Sequence, residues 1–293
     1  MFRGVTMNEK GWVRRPSSSS RRKSQSSQSS GHPQIAHPRI TDRLPIAERQ
    51  IYEANELSQA LWENAKKFRA QIGAHLDHDE IGILRSPVID IKPEADSEAE
   101  FLALAKTWFG ILDKAFFFNL LSDKMKAPDP IVIFHNAVCK IDGQCHYLEE
   151  MSCISLNICQ GYVKESKSST AQLMIGTLLH EMVHAFFYIF SCKCTSCDAH
   201  ANRKGGRGIL SHGVHWCNSM YAIQSALTDQ IKWTVDTGIA ESVALEMNSS
   251  CWTPRSDQIE RWNLDARVLA KATDQAKKSA VFEGLFACGS ATK

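Results

Sequence analysis

The chain has 293 residues, 34 basic against 32 acidic side chains and a formal net charge of +2, so whole-chain electrostatics select no charged partner. About 250 residues remain once a polar N-terminal tail is set aside, enough to bury a core without disulfides. No apolar leader opens the chain and no run of about eighteen consecutive apolar residues follows, so a secreted or membrane-spanning protein is not expected.

Residues 1–40 are rich in Ser, Arg, Gln and Pro, with SSSS and SQSSQSS runs that bury too little to offset chain entropy, and are expected to be disordered. Arg14, Arg15, Arg21, Arg22 and Lys23 cluster there, read either as a solvated tail or as a nuclear import signal or polyanion contact. The expected location is nucleus or cytoplasm. In such reducing compartments the ten cysteines are core residues or metal ligands rather than disulfides.

The folded part is expected over residues 44–250, with a helical segment at 251–293. Ile46, Ile51, Leu57, Leu61 and Phe68 recur at helical spacing, which predicts a first helix between 44 and 72 with room for a break. Asp96 or Ser97 is a candidate cap for a long buried helix running from Glu98 to Met125. Pro128 and Pro130 end helical structure, and the β-branched run that follows predicts a strand to Val138. A second strand is predicted from Cys153 to Val163, where Ile154, Leu156 and Ile158 share a face. Thr170–Phe190 is apolar nearly all round and reads as the central helix, with Thr170 as its cap. Helical periodicity returns from His215 to Leu227, around 238–247 and from Ser256 to Ala280. The fold class is α+β, helix-rich with a small sheet.

The chemistry lies in HEMVH on the central helix. His180 and His184 are four residues apart, so both imidazoles stand on one helix face and can reach one ion. Glu181 is the candidate general base, positioned to take a proton from water and deliver it to a leaving amine. Burying two imidazoles and a carboxylate in an apolar helix is costly without such a role. A catalytic zinc takes three protein ligands at about 2.0–2.2 Å and keeps a fourth position open. Candidates for the third are His200, His212, His215, Glu241 and Glu246. His212 is preferred, because it follows the glycine-rich GGRGIL, where the backbone can turn back toward the helix.

This order of elements resembles the SprT-like domain family: a long apolar helix, two strands, HEMVHA on a buried helix, an insertion, then His212-Gly213 with Trp216 three residues on. The resemblance spans about Ala47 to Leu227. It implies a zincin-like minimal zinc metallopeptidase with His180, His184 and His212 as ligands and Glu181 as base. It further implies protein substrates, including DNA-associated ones, that add as an extended strand along the strand preceding the metal helix, here Cys153–Cys159. The four-cysteine zinc ribbon that often follows this domain has no counterpart, since only Cys251 and Cys288 lie beyond Leu227.

Between the metal helix and His212 is an insertion, 191–211, containing Cys192, Cys194, Cys197 and His200, with Cys217 just beyond. Two readings stay open: a second, structural zinc on the three cysteines with His200 or Cys217, or free and redox-active thiols. Lys193, Arg203, Lys204 and Arg207 belong to the same insertion and read as a solvated loop or a phosphate contact. The expected function is a zinc-dependent endopeptidase. The alternatives are a non-catalytic zinc or nucleic-acid-binding module, and a zincin of another lineage using Glu241 or Glu246.

Overall fold

The computed structural model describes residues 52–85, 98–125, 130–135, 142–148, 151–158, 170–195, 197, 212–250 and 252–282. The N-terminal tail, Asp96, Ser97, His200 and the glycine-rich stretch before His212 lie outside the described residues.

The expected first helix is present as two pieces, α1 (Ala54–Lys66) and α2 (Phe68–His75), interrupted at Lys67. Glu56 reaches back to accept from the Glu53 amide at 3.2 Å, while Leu57 and Leu61, one turn apart, are fully buried. A third helix, α3 (His78–Arg85), was not anticipated. It starts at a reciprocal cap in which the Asp77 amide donates to Glu80 Oε2 at 3.0 Å and the Glu80 amide to Asp77 Oδ1 at 2.8 Å.

Helix α4 (Glu98–Phe116) is shorter than the run of apolar residues that predicts it. Phe118 and Asn119 adopt φ of 62° and 57°, and the chain turns into the short α5 (Leu121–Lys124). Buried Asp113 stabilises that turn by accepting from the Leu121 amide at 3.1 Å, the Ser122 amide at 2.8 Å and the Ser122 hydroxyl at 2.7 Å. Asn64 of α1 satisfies the helix end, donating to the Ala115 and Phe116 carbonyls at 3.2 and 2.8 Å. A local hydrogen-bond pattern ends a helix that hydrophobicity alone would continue.

Three strands, β1 (Ile131–His135), β2 (Asp142–Leu148) and β3 (Met151–Ile158), form one sheet in the order β1-β3-β2. β1 runs parallel to β3 and β2 antiparallel to it, with Ile133 opposite Leu156 and Gly143 opposite the same residue on the other side. The strand DGQCHYL was not expected, because its composition is poor in the β-branched residues that mark strands. Pairing with β3 overrides that weak propensity.

Helix α6 (Thr170–Phe190) matches its predicted limits and packs on β2 and β3, with α4 against its flank. Gln172–Phe190 is long and apolar enough to cross a membrane by length and composition, and 72% of that window is buried inside the fold. Its hydrophobicity is therefore accounted for by the core it occupies. Helices α7 (Val214–Ile231), α8 (Ile239–Ser250), α9 (Ser256–Arg261) and α10 (Ala266–Phe282) complete the described residues. The helix expected from Ser256 onward is divided at Trp262, whose indole is buried and donates to Asn218 Oδ1 of α7 at 2.8 Å. α7 lies along α1 and α10 along α8, so helices from both ends of the described chain close one hydrophobic core. The architecture is α+β and helix-rich.

One glycine in α6 decides how the site is built. A Cβ on Gly176 would lie 2.0 Å from the Asp236 carbonyl oxygen and 3.2 Å from Val235, so the 235–238 connection touches the bare helix backbone there. Gly176→Ala is expected to destabilise the protein by about 1–3 kcal/mol, as overpacking of a rigid backbone contact does. Urea denaturation of the two proteins checks this, and equal midpoints would remove Gly176 from the site's construction.

Candidate metal centre

α6 displays His180 and His184 on one face, as their spacing requires, and His212 enters two residues before the start of α7, next to its cap residue Gly213. The three Nε2 atoms form a nearly equilateral triangle: 3.2 Å between His180 and His184, 3.1 Å between His180 and His212, and 3.0 Å between His184 and His212. Nitrogens each about 2.05 Å from one ion at tetrahedral angles sit about 3.3 Å apart. His180, His184 and His212 are thus spaced as three residues that would hold one metal ion.

Second contacts set the proton on the first imidazole. His180 Nδ1 lies 3.0 Å from the Thr237 carbonyl oxygen, which can only accept, so Nδ1 carries the hydrogen and Nε2 presents its lone pair to the centre. Thr237 is itself buried and fixed by its hydroxyl, which donates to Gln224 Oε1 of α7 at 2.7 Å. The turn that aims its carbonyl continues through Gly238, at φ 69°, into α8. The close approach at Gly176, one helical turn before His180, brings this connection within reach of the ring.

His212 is held through its backbone. Its amide donates to Glu246 Oε2 of α8 at 3.3 Å, and its carbonyl accepts from the Cys217 thiol at 3.2 Å. Trp216 packs on all three imidazoles, with ring centroids 4.6, 5.5 and 4.8 Å from His180, His184 and His212. This indole is the floor of the site. The hydroxyls of Ser58 and Ser219 both donate to the His215 carbonyl, at 3.0 and 2.9 Å, which ties the first turn of α7 to α1.

The five candidates for a third ligand are thereby sorted. His212 joins the triangle. His215 is half-buried on the first turn of α7 and is not a member of the cluster, Glu246 is engaged with the His212 amide, Glu241 is half-buried on α8 outside the cluster, and His200 lies outside the described residues. Glu181 is buried, and its Oε1 is 4.0 Å from His180 Nε2, adjacent to the point where the three nitrogens converge. His184 is the most exposed of the three histidines, so the site opens on its side.

Burial drives all three imidazoles toward the neutral form that can ligate. It lowers His180 to about 4 against the opposing pull of the Thr237 carbonyl. His184 and His212 are lowered well below the usual histidine range by burial first and by the neighbouring imidazoles second. The donor set, its spacing and its protonation fit a metal ion.

The cysteine insertion yields a second cluster. Cys192, Cys194 and Cys197 have their sulfurs within 4.8 Å of one another. Cys217, a candidate fourth ligand, is not part of it: its buried thiol points into the core at His212, and burial followed by the Glu246 carboxylate raises its pKa well above the ordinary thiol range. Burial, then the thiols of Cys194 and Cys192, push Cys197 up to about 12.

The strand expected at the substrate edge is also corrected. β3 is the central strand, paired on both sides, so no chain can add to it. Sequence position before the metal helix does not decide which strand is outermost. Among the described residues the free edges belong to β1 and β2. Thr237, Gln224 and Gly176 were not anticipated as parts of the site. The available signals were a glycine inside an otherwise apolar helix and the Asp-Thr-Gly turn before α8.

Because His180 titrates at about 4 in the fold and near 6.5 in the unfolded chain, the unfolded state takes up the extra proton between those values. This stability is fully present above about pH 6.5 and is lost as the pH falls through about 4. Denaturation midpoints of the metal-free protein, measured downward from neutral pH, are expected to drop across that window, and a flat profile would contradict a neutral buried cluster. The chain matches no family model, no curated protein and no solved structure to which it was compared.

Proposed function

We propose that this chain is a zinc-dependent endopeptidase with a zincin-like, SprT-like catalytic domain. The observation that carries the reading is the Nε2 triangle of His180, His184 and His212 with the Glu181 carboxylate 4.0 Å from its edge. Zinc in that position would lower the pKa of water toward neutrality and polarise a peptide carbonyl.

The protein's own groups supply the rest. His180 holds its hydrogen on Nδ1 through Thr237 and keeps Nε2 free to ligate. Glu181 accepts the proton of the attacking water on a carboxylate oxygen and passes it to the departing amine nitrogen. Trp216 and the surrounding core exclude bulk water from the back of the site, strengthening each electrostatic contact within it. An extended substrate segment would add to the free edge of β2, the edge strand that packs against α6. A purely structural zinc site has no need of the carboxylate beside its ligands, which favours hydrolysis over a binding module.

Protein substrates bound to DNA are the further part of this proposal. It rests on the basic residues of the insertion, of which Lys193 is described, exposed and stacked 4.8 Å over the Tyr188 ring.

Two substitutions separate binding from turnover. Glu181→Gln is expected to keep one zinc at the histidine site while lowering protein-cleaving activity at least about 100-fold. His212→Ala is expected to lose that zinc and the activity together. Wild-type protein that takes up no zinc, or a Glu181→Gln variant as active as wild type, would overturn the proposal.

A further inference from the structure

We propose that Cys192, Cys194 and Cys197 form a second metal site, separate from the histidine centre, that takes a thiophilic divalent cation of the zinc class. Tetrahedral coordination by thiolates at about 2.3 Å separates sulfur atoms by about 3.8 Å. The three sulfurs, within 4.8 Å of one another, already occupy a common locus that one ion can span.

Backbone amides point at two of the three sulfurs. The Cys194 amide points at Cys192 Sγ at 3.5 Å, and the Cys197 amide at Cys194 Sγ at 3.4 Å. Such N–H···S contacts stabilise a thiolate more than a neutral thiol, because the charge on sulfur strengthens the hydrogen bond. A disulfide would use two of the sulfurs and leave the third unpaired in the same locus. A metal uses all three, and their softness selects a zinc-class ion over calcium or magnesium.

The cluster also has a rigid base. The chain leaves α6 through a parallel bridge between Ser191 and Tyr52, in which the Tyr52 amide donates to the Phe190 carbonyl at 3.0 Å and the Cys192 amide to the Tyr52 carbonyl at 2.7 Å. Cys192 is thus anchored both to the end of the metal helix and to the segment entering α1. The cysteines are half-buried, so an ion can enter from solvent, and one coordination position stays open to water or an added donor. An ion here fastens the turn that follows the ligand-bearing helix, a structural task that does not depend on peptidase activity.

Cobalt(II) titration of the full-length, chelator-stripped and reduced protein tests the assignment. Wild type is expected to bind two equivalents and to develop intense thiolate-to-cobalt charge-transfer absorption in the near ultraviolet. The variant with serine at all three cysteines should bind one equivalent without those bands, whereas a His180→Ala/His184→Ala variant should retain them. That second variant distinguishes failure of this site from failure of the histidine centre. Alkylation of the wild-type thiols, read by mass spectrometry with and without zinc, serves if the serine variant does not fold. Protection of Cys192, Cys194 and Cys197 by zinc supports the site. Charge-transfer bands absent from wild type, equal alkylation rates with and without zinc, or a disulfide among the three in protein purified without reductant would overturn it.

Discussion

The hydrogen bond from His180 Nδ1 to the Thr237 carbonyl is the contact on which the three-histidine cluster depends. A buried imidazole is tolerated when it is neutral and its N–H is paired, and that pairing leaves the opposite nitrogen as a bare donor. Helical geometry supplies two such rings but cannot choose their tautomers or rotations. The carbonyl reaches His180 because Gly176 lets the 235–238 connection lie directly on the helix, and it is steadied by the bond from the Thr237 hydroxyl to Gln224. Contacts from α7 and the turn before α8 thus set the tautomer of His180 on α6.

The third histidine is delivered differently. His212 stands outside any helix and is positioned by main-chain contacts to Glu246 and Cys217, with Trp216 filling the space behind the rings. Glu246, a buried carboxylate and a ligand candidate, instead accepts from the His212 backbone. Its burial is explained by this role, since a carboxylate in an apolar core must receive hydrogen bonds. The cluster is therefore a set of interlocking constraints to which α6, α7 and α8 all contribute.

The same packing separates two kinds of cysteine. Cys217 is absorbed into the core and holds His212, whereas Cys192, Cys194 and Cys197 gather where the chain leaves α6. The sheet is likewise organised around β3, whose two partners leave the outer edges to β1 and β2. Among the described residues an added strand would therefore pair with β1 or β2 rather than with β3, which moves the expected docking strand.

Periodicity in the sequence by itself determined α6, its buried character and the alignment of His180 with His184, because four residues bring a helix back to the same face whatever surrounds it. The glycine-rich GGRGIL ranked His212 first among the third-ligand candidates, and the helix-rich α+β class followed from the apolar spacing. Periodicity could not reveal β2, which pairs despite weak propensity, or the breaks at Phe117–Leu120 and Trp262, which depend on hydrogen bonds and positive φ values rather than hydrophobicity. Only the tertiary structure decided that Thr237 fixes the His180 tautomer, that Glu246 supports the His212 backbone instead of joining the histidine cluster, and that β3 lies inside the sheet. These are outcomes of long-range packing, in which residues tens of positions apart compete for the same buried partners, and no local period in the chain encodes which of them meet.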